Sequence, residues 1–504
     1  MGKKNANARK SNVKSKKTNK KAPKKMVNVE KDKLTVKNPD SAGIDIGSEE
    51  HWVSVPPDRV PSGEEHARPF GVYTDDLRDI IKWLHECGIK TVALESTGVY
   101  WIPLFQLLET HDFEVCLVNT KHMKNVSGRP KTDRLDCVWL MRLHSYGLLS
   151  PSFRPSDDIC VLRSYTRSHK TLVEDSSDQI RRMGKAFQQM NVRLDKAVTD
   201  MTGKTGTLII KAVLAGERDP SRLAALRDRR CKKSEEEILR ALSGDFREEH
   251  VYALGIAHRM YNSIQAEIEL CEAEISKRLR KLVPTTAALR AAYSKIVESE
   301  GEHEEKSATE MAEMVVTKLL PDSNCDRKTY LKGLLGVDAT AIPGVDVKTV
   351  TVLLSEVGLD FSKWENSARF ASWLGLAPCV KKSGISKNLR HHTKKVQSRA
   401  AEALRMAASS VIGTDTHLGD FYWRVKSRQG SAAAITATAR KMAVTFFEMV
   451  TKQREFVEIG PGYRQKRNPA KYVAKARRQL MELGYKIVPL EKPEETEKDM
   501  AAEA

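Results

Sequence analysis

No apolar run in this chain approaches a membrane span, although hydrophobic residues make up 40% of its 504 residues. That share is enough for packed cores, and the length suits about three or four domains. The Lys-rich N-terminus has no apolar h-region, so no signal peptide is expected. The eight cysteines are scattered, and none forms a C-x-x-C pair. This argues against a disulfide framework and a zinc site, and it suits a reducing cytoplasm. A glycine is also missing where a phosphate loop would need it. Gly203-Lys204-Thr205 has no upstream glycine at Walker spacing, which excludes an ATP site there. Acid is the minority charge: 85 Lys and Arg stand against 66 Asp and Glu, a formal excess of +19. Such an excess points to a polyanionic partner, most simply nucleic acid, although much of it sits in the tails.

Residues 1–39 read as a disordered basic arm. Lys3, Lys4, Lys14, Lys16, Lys17, Lys20 and Lys21 occur there among Asn, Ser and Ala, with little to bury. The arm is either a source of salt-sensitive nucleic-acid affinity or a solubilising tail. Order is expected from Ala42. Ala42 to Gly47 reads as a buried strand, and His51 to Val55 as its hairpin partner. A third strand is expected at Phe70 to Tyr73. Thr74 is placed to cap a helix from Asp75 to Cys87. Strands at Thr91 to Glu95 and Glu114 to Val118 flank a helix around Leu104 to Leu108. Hairpin strands followed by alternating strands and helices imply a mixed sheet covered by helices.

Four acids stand out in this region. Asp45 and Glu95 each lie in an otherwise apolar strand, where an unpaired carboxylate is costly. Asp133 and Asp136, three residues apart, share one face of a helix that follows Gly128-Arg129-Pro130. The apolar side of that helix is expected to carry Leu135, Trp139 and Leu143. Two carboxylates about 4 Å apart at an effective dielectric near 20 repel by roughly 4 kcal/mol. Taken singly, each acid is explained by a backbone amide, a Lys or water. Taken together, four converging carboxylates need cations, and two divalent ions would make a phosphoryl-transfer site.

From 155 to 330 the pattern is helical. Ile180, Met183, Phe187, Met190 and Leu194 alternate steps of three and four, as do Leu254, Ala257, Tyr261, Ile264, Ile268, Cys271 and Ile275. This predicts a coiled-coil seam in a long antiparallel helical hairpin, read as an arm for dimerisation or for spanning nucleic acid. A further folded unit is expected over 331–455. Ile342-Pro343-Gly344-Val345 resembles the start of a helix-hairpin-helix, whose helix N-terminus can offer amides to a phosphate. It is followed by Gly375-Leu376-Ala377-Pro378, then Lys381-Lys382-Ser383-Gly384-Ile385-Ser386-Lys387, then a basic stretch with Arg390, Lys394 and Lys395, then an Ala-rich helix from Gln397 to Ile412. Residues 456–504 read as a charged tail.

Three segments together resemble the acidic motifs of the IS110/IS1111-type transposases: Gly43-Ile44-Asp45-Ile46-Gly47, Leu94-Glu95-Ser96-Thr97-Gly98 and Lys131-Thr132-Asp133-Arg134-Leu135-Asp136. A D-I-G strand alone also opens actin-like ATPases, but no second phosphate loop or Gly-Gly adenosine motif is present. Met201 to Gly206 through Ala215 to Pro220 resembles the IS1111-like branch, and the 375–412 order resembles the family's C-terminal domain.

The resemblance implies a ribonuclease H/RuvC-like DEDD domain over 40–154, in which Asp45, Glu95, Asp133 and Asp136 bind Mg²⁺ or Mn²⁺. It implies a serine nucleophile, Ser383 with Ser386 in reserve, that forms a phosphoserine link to DNA. It also implies DNA ends and target as substrates, a structured guide RNA from the same element, and a homodimer or tetramer in the cytoplasm, associated with the nucleoid. Lys381, Lys382, Lys387, Arg390, Lys394 and Lys395 are the expected nucleic-acid contacts. The fold class expected is α/β plus α. A hydrolytic RuvC-like nuclease and an inactive nucleic-acid-binding derivative are the alternatives.

Overall fold

A computed structural model describes residues 35–96, 98–119, 132–231, 233–283, 327–381, 390–393, 396, 398–461 and 469–484. The chain divides into two compact units, Met1–Phe153 and Arg154–Ala504.

The first unit is built on a five-stranded sheet in the order β3-β2-β1-β4-β5. Its strands are β1 (Ser41–Ile46), β2 (His51–Ser54), β3 (Ala67–Phe70), β4 (Thr91–Glu95) and β5 (Glu114–Val118). β1, β2 and β3 pair antiparallel, whereas β1–β4 and β4–β5 pair parallel. A tight turn at Gly47, whose N–H donates to Glu50 O at 3.1 Å, makes the β1–β2 hairpin. The mixed sheet is therefore the one expected.

Strand alternation sorts the side chains. Ala42, Ile44 and Ile46 of β1, with Val92 and Leu94 of β4, enter one core. α1 (Thr74–Glu86) and α2 (Trp101–Thr110) cover that core with Ile80, Leu84, Leu104 and Leu108. Ala93 and Val118 face the other way, against Leu140 of α3 (Asp133–Ser145).

Two local expectations shift. β3 ends at Phe70, where the expected strand began. Gly71 lies so close to Asp76 that a Cβ there would sit 2.2 Å from Oδ2, and Asp76 accepts the Tyr73 N–H at 3.0 Å. Residues 71–73 thus serve the start of α1, and Thr74 is inside the helix. The apolar side of α3 also differs. Its buried residues are Asp136, Cys137, Leu140, Met141, His144 and Ser145, while Leu135 is 41% exposed. The helix turns this side inward because β1 offers Gly43 there: a Cβ on Gly43 would lie 2.3 Å from Met141 N and 2.5 Å from Cys137 O.

The second unit is mainly helical. α4 (Asp157–Gln189) and α9 (Glu248–Leu282) run side by side. Ser176 bonds Gln265 at 2.8 Å, and further along Asp158 pairs with Arg278, so the two helices are antiparallel. The expected antiparallel pair of long helices is present, and its seam varies in burial along its length. Met183, Phe187, Met190, Leu194, Leu254 and Ala257 join a compact core with α5 (Leu194–Ala197), α6 (Lys204–Leu214), α7 (Pro220–Ala225) and α8 (Glu235–Leu242). Further along, Tyr261, Ile264, Ile268 and Cys271 are only half-buried, and polar bridges such as His169–Glu272 at 3.0 Å cross the pair.

The remainder comprises α10 (Arg327–Leu335), α11 (Val347–Val357), α12 (Ser367–Trp373), the β6 (Pro378–Lys381) and β7 (Arg390–Thr393) hairpin, α13 (Arg399–Ser410), α14 (His417–Gln429), α15 (Ser431–Lys452) and α16 (Pro469–Glu482). An aromatic cluster of Phe361, Trp364, Phe370, Phe446 and Phe447 knits α12 to α15. Gly344, with φ +82°, packs where a Cβ would meet Ala407 O at 2.5 Å. The N-terminus of α11 already carries a carboxylate, Asp346, which accepts the Thr349 N–H at 2.7 Å.

Candidate active site

The face of the first unit that carries α3 gathers the acids. Asp45 follows Gly43 by two residues along β1, and Glu95 follows Ala93 by two along β4. Gly43 and Ala93 are paired in register, as are Ile44 and Leu94. By the two-residue alternation, both acids therefore stand at the same level on the α3 face. The small residues Gly43 and Ala93 let α3 lie against the strands. α3 starts at Asp133, with the Thr132 side chain accepting the Leu135 N–H at 3.3 Å. The helix runs from Met141 and Cys137, beside Gly43, back towards Asp133, beside Asp45.

Electrostatics report the same grouping. Burial pushes the Asp45 carboxyl up to about 7; the charges of Glu95 and Asp133 and a hydrogen bond with Glu95 push the same way, and the Ile46 backbone opposes them. Burial, with the charge of Asp45 next, likewise pushes the Cys137 thiol up to about 12, so it packs as an inert neutral group. Asp136 is 8% exposed and lies beside Cys137 on the inner side of α3, while Asp133 is exposed. Just past Glu95, the N–H and hydroxyl of Ser96 both donate to Val118 O at 3.0 Å, fixing the end of β4.

Asp45, Glu95 and Asp133 are thus brought together, with Asp136 one helical turn along. Among the described residues, no three His, Cys, Asp or Glu side chains are arranged to hold a metal ion as they stand. The donor set is nevertheless all hard oxygen, which suits Mg²⁺ or Mn²⁺, and its mutual repulsion is what a divalent cation relieves. Reading the acids alone missed the residues that seat them, Gly43, Ala93 and Cys137. The signal was present: each strand acid has a small residue two positions before it.

In the second unit, Lys381 ends β6 and Arg390 begins β7, and the two are paired in register. Ser383, Ser386, Lys382, Lys387, Lys394 and Lys395 lie outside the described residues.

Comparison with known proteins bears on both units. A DEDD transposase profile of IS110 type matches residues 42–192, a span holding all four acids. A second profile, described as the transposase IS116/IS110/IS902 family, matches residues 339–423, which include Ser383 and Ser386. This is the domain architecture of the IS110-family transposases. An uncharacterized 43.6 kDa protein of insertion element IS110 from Streptomyces coelicolor is 31% identical over 112 residues, covering 22% of this chain and 27% of that protein. The chain thus aligns with about a quarter of that relative's length. The first match covers the sheet with its four acids and continues through α4 of the second unit, and the second covers the β6–β7 hairpin. No helix among the described residues is long and apolar enough to cross a membrane.

Proposed function

We propose that this chain is a DNA transposase that cuts and rejoins strands through a phosphoserine intermediate. The observation that carries this reading is the convergence of Asp45, Glu95 and Asp133 on one face of an IS110-type DEDD sheet, with the Asp45 carboxyl raised to about 7. Carboxylates held together at such cost fit a site that works with divalent cations. Asp45, Glu95, Asp133 and Asp136 would hold Mg²⁺ or Mn²⁺, which would supply charge stabilisation at the attacking and leaving oxygens.

In this reading the Ser383 hydroxyl gives up its proton and its oxygen attacks a DNA phosphorus. The bond to the 3′ oxygen breaks and a 3′-hydroxyl leaves. A 3′-hydroxyl of the partner strand then attacks the phosphoserine, and Ser383 is released. One phosphodiester is exchanged for another, so no ATP is consumed. Lys381, Lys382 and Arg390 offset charge on the pentacovalent phosphorus, and Lys387, Lys394 and Lys395 hold the strand. The resemblance further supports a structured RNA from the element as guide, and a dimer or tetramer in which one protomer's acids serve another's serine.

The test incubates wild type, Ser383→Ala and Ser386→Ala with Mg²⁺, DNA bearing the element ends, and RNA transcribed from the flanking sequence. Denaturing gels are expected to show a covalent DNA–protein band that only Ser383→Ala loses. Loss in Ser386→Ala instead moves the nucleophile by three residues. Cleavage with no covalent band in any protein would replace this reading with a hydrolytic nuclease.

A further inference from the structure

The end of the second unit has a surface that the reaction above does not use. Between Asp420 and Glu448 the sequence has five cations, Arg424, Lys426, Arg428, Arg440 and Lys441. These residues fall on α14 and α15, at and beyond the point where the second profile match ends, residue 423.

Trp423, on α14, is 51% exposed. An indole this open on a helix normally loses little by turning, but this one is held. Its Nε1–H donates to Ile412 O at 2.8 Å, and its ring meets Tyr422 edge-on at 5.6 Å between centroids. Tyr422 is in turn buried and bonded through its hydroxyl to Ser431 at 2.8 Å. The Lys426 ammonium sits 4.1 Å from the Trp423 ring centroid. On another side of α14, Arg424 and Lys441 lie over Phe421 at 5.2 and 5.1 Å. A pinned, half-open indole with a cation against it and a further exposed cation on the same helix, Arg428, suits a stacked base with its flanking phosphate.

We infer that Trp423, with Lys426 and Arg428, forms a binding surface for single-stranded nucleic acid. The indole stacks on a base and the cations neutralise the phosphates on either side. Sequence-independent stacking suits a strand exposed by unpairing, since every base has a π-face. The choice of partner rests on the proposed function. The surface itself rests on the geometry of α14 and α15. The same chemistry is offered by single-stranded DNA and by RNA, and the experiment separates them.

Full-length protein is titrated with fluorescent oligothymidine, oligouridine and a DNA duplex, with EDTA present so that no strand is cut. Trp423→Ala is expected to weaken single-strand binding roughly tenfold and duplex binding much less. Trp423→Tyr should keep most of the affinity. Lys426→Gln and Arg428→Gln should each lower the salt slope of binding by about one. A larger loss for oligothymidine than for oligouridine assigns the surface to DNA, and the reverse assigns it to RNA. Should Trp423→Ala lower the melting temperature, the two charge variants alone decide. Unchanged single-strand affinity in a folded Trp423→Ala, or unchanged salt slopes in the charge variants, overturns the inference. So does binding to anionic vesicles without binding to oligonucleotides. A protein that never joins DNA yet binds strands through Trp423 would refute the proposed reaction and keep this surface.

Discussion

The two units treat buried carboxylates in opposite ways. In the second unit, Glu356 of α11 receives Arg167 through two bonds of 2.9 Å, with Arg163 also 3.5 Å away. Arg163 in turn donates to the Ser355 and Glu356 carbonyls at 3.0 and 2.9 Å. This is a closed set, charge against charge, joining α4 to α11. In the first unit, Asp45 lies near Glu95 and Asp133, and its carboxyl is raised. The first arrangement stabilises the fold by itself. The second costs stability and has a use only if a cation from outside completes it. The contrast sets an acid that the fold itself pairs beside a group of acids that repel one another.

The sharpest break in that comparison is Asp45→Ala. Strand cleavage and joining are expected to fall to background while the purified protein keeps its melting temperature or gains slightly. Full cleavage by this variant would remove the acid face from the chemistry. Glu356→Ala is the mirror experiment. It leaves Arg163, whose side chain is 15% exposed, without its carboxylate, and should cost about 3 kcal/mol in urea unfolding. Activity per folded molecule should survive, so equal loss of activity and stability would blur the division drawn here. Gly43→Ala falls between the two. A methyl group pressed against the α3 backbone should cost about 2 kcal/mol and lower cleavage as well, because the helix that carries Asp133 and Asp136 must move.

The same acids also predict a pH dependence. The Asp45 carboxyl is raised from 3.8 to about 7, so between those values the folded chain holds a proton that the unfolded chain has released. Stability therefore falls as pH rises through that window, and the penalty is complete above it. In EDTA the wild-type melting temperature should decline across the window relative to Asp45→Asn. Added Mg²⁺ should restore it at the upper end for the wild type only. Parallel curves for the two proteins would mean that Asp45 does not bear the repulsion.

Much of the acid site was legible in the chain. The strands holding Asp45 and Glu95 are short apolar runs with one acid each, and the helix after Thr132 announces itself by its cap. The inner side of α3 was not legible. Leu135, Trp139 and Leu143 form a credible apolar stripe, yet Cys137, Leu140 and Met141 are buried. Helical periodicity gives the spacing of a stripe but not which of two stripes meets a partner. The long helices show the same limit: their three-and-four spacing predicted the antiparallel pair, but not that one end would dissolve into a bundle with α5 to α8 while the middle is bridged by Ser176, Gln265, His169 and Glu272.

The sequence by itself determined the order of strands and helices, the four acids and their placement on strand, strand and helix, and the excess of positive charge. These depend on local periodicity, capping and composition, which neighbours along the chain decide. The tertiary structure alone decided that Asp45 and Glu95 share a hydrogen bond, that α3 lies on Gly43, and that Trp423 is tied to Ile412 among cations. Each of these joins residues distant in sequence or sets which way a helix turns, and only packing of one element on another supplies that information.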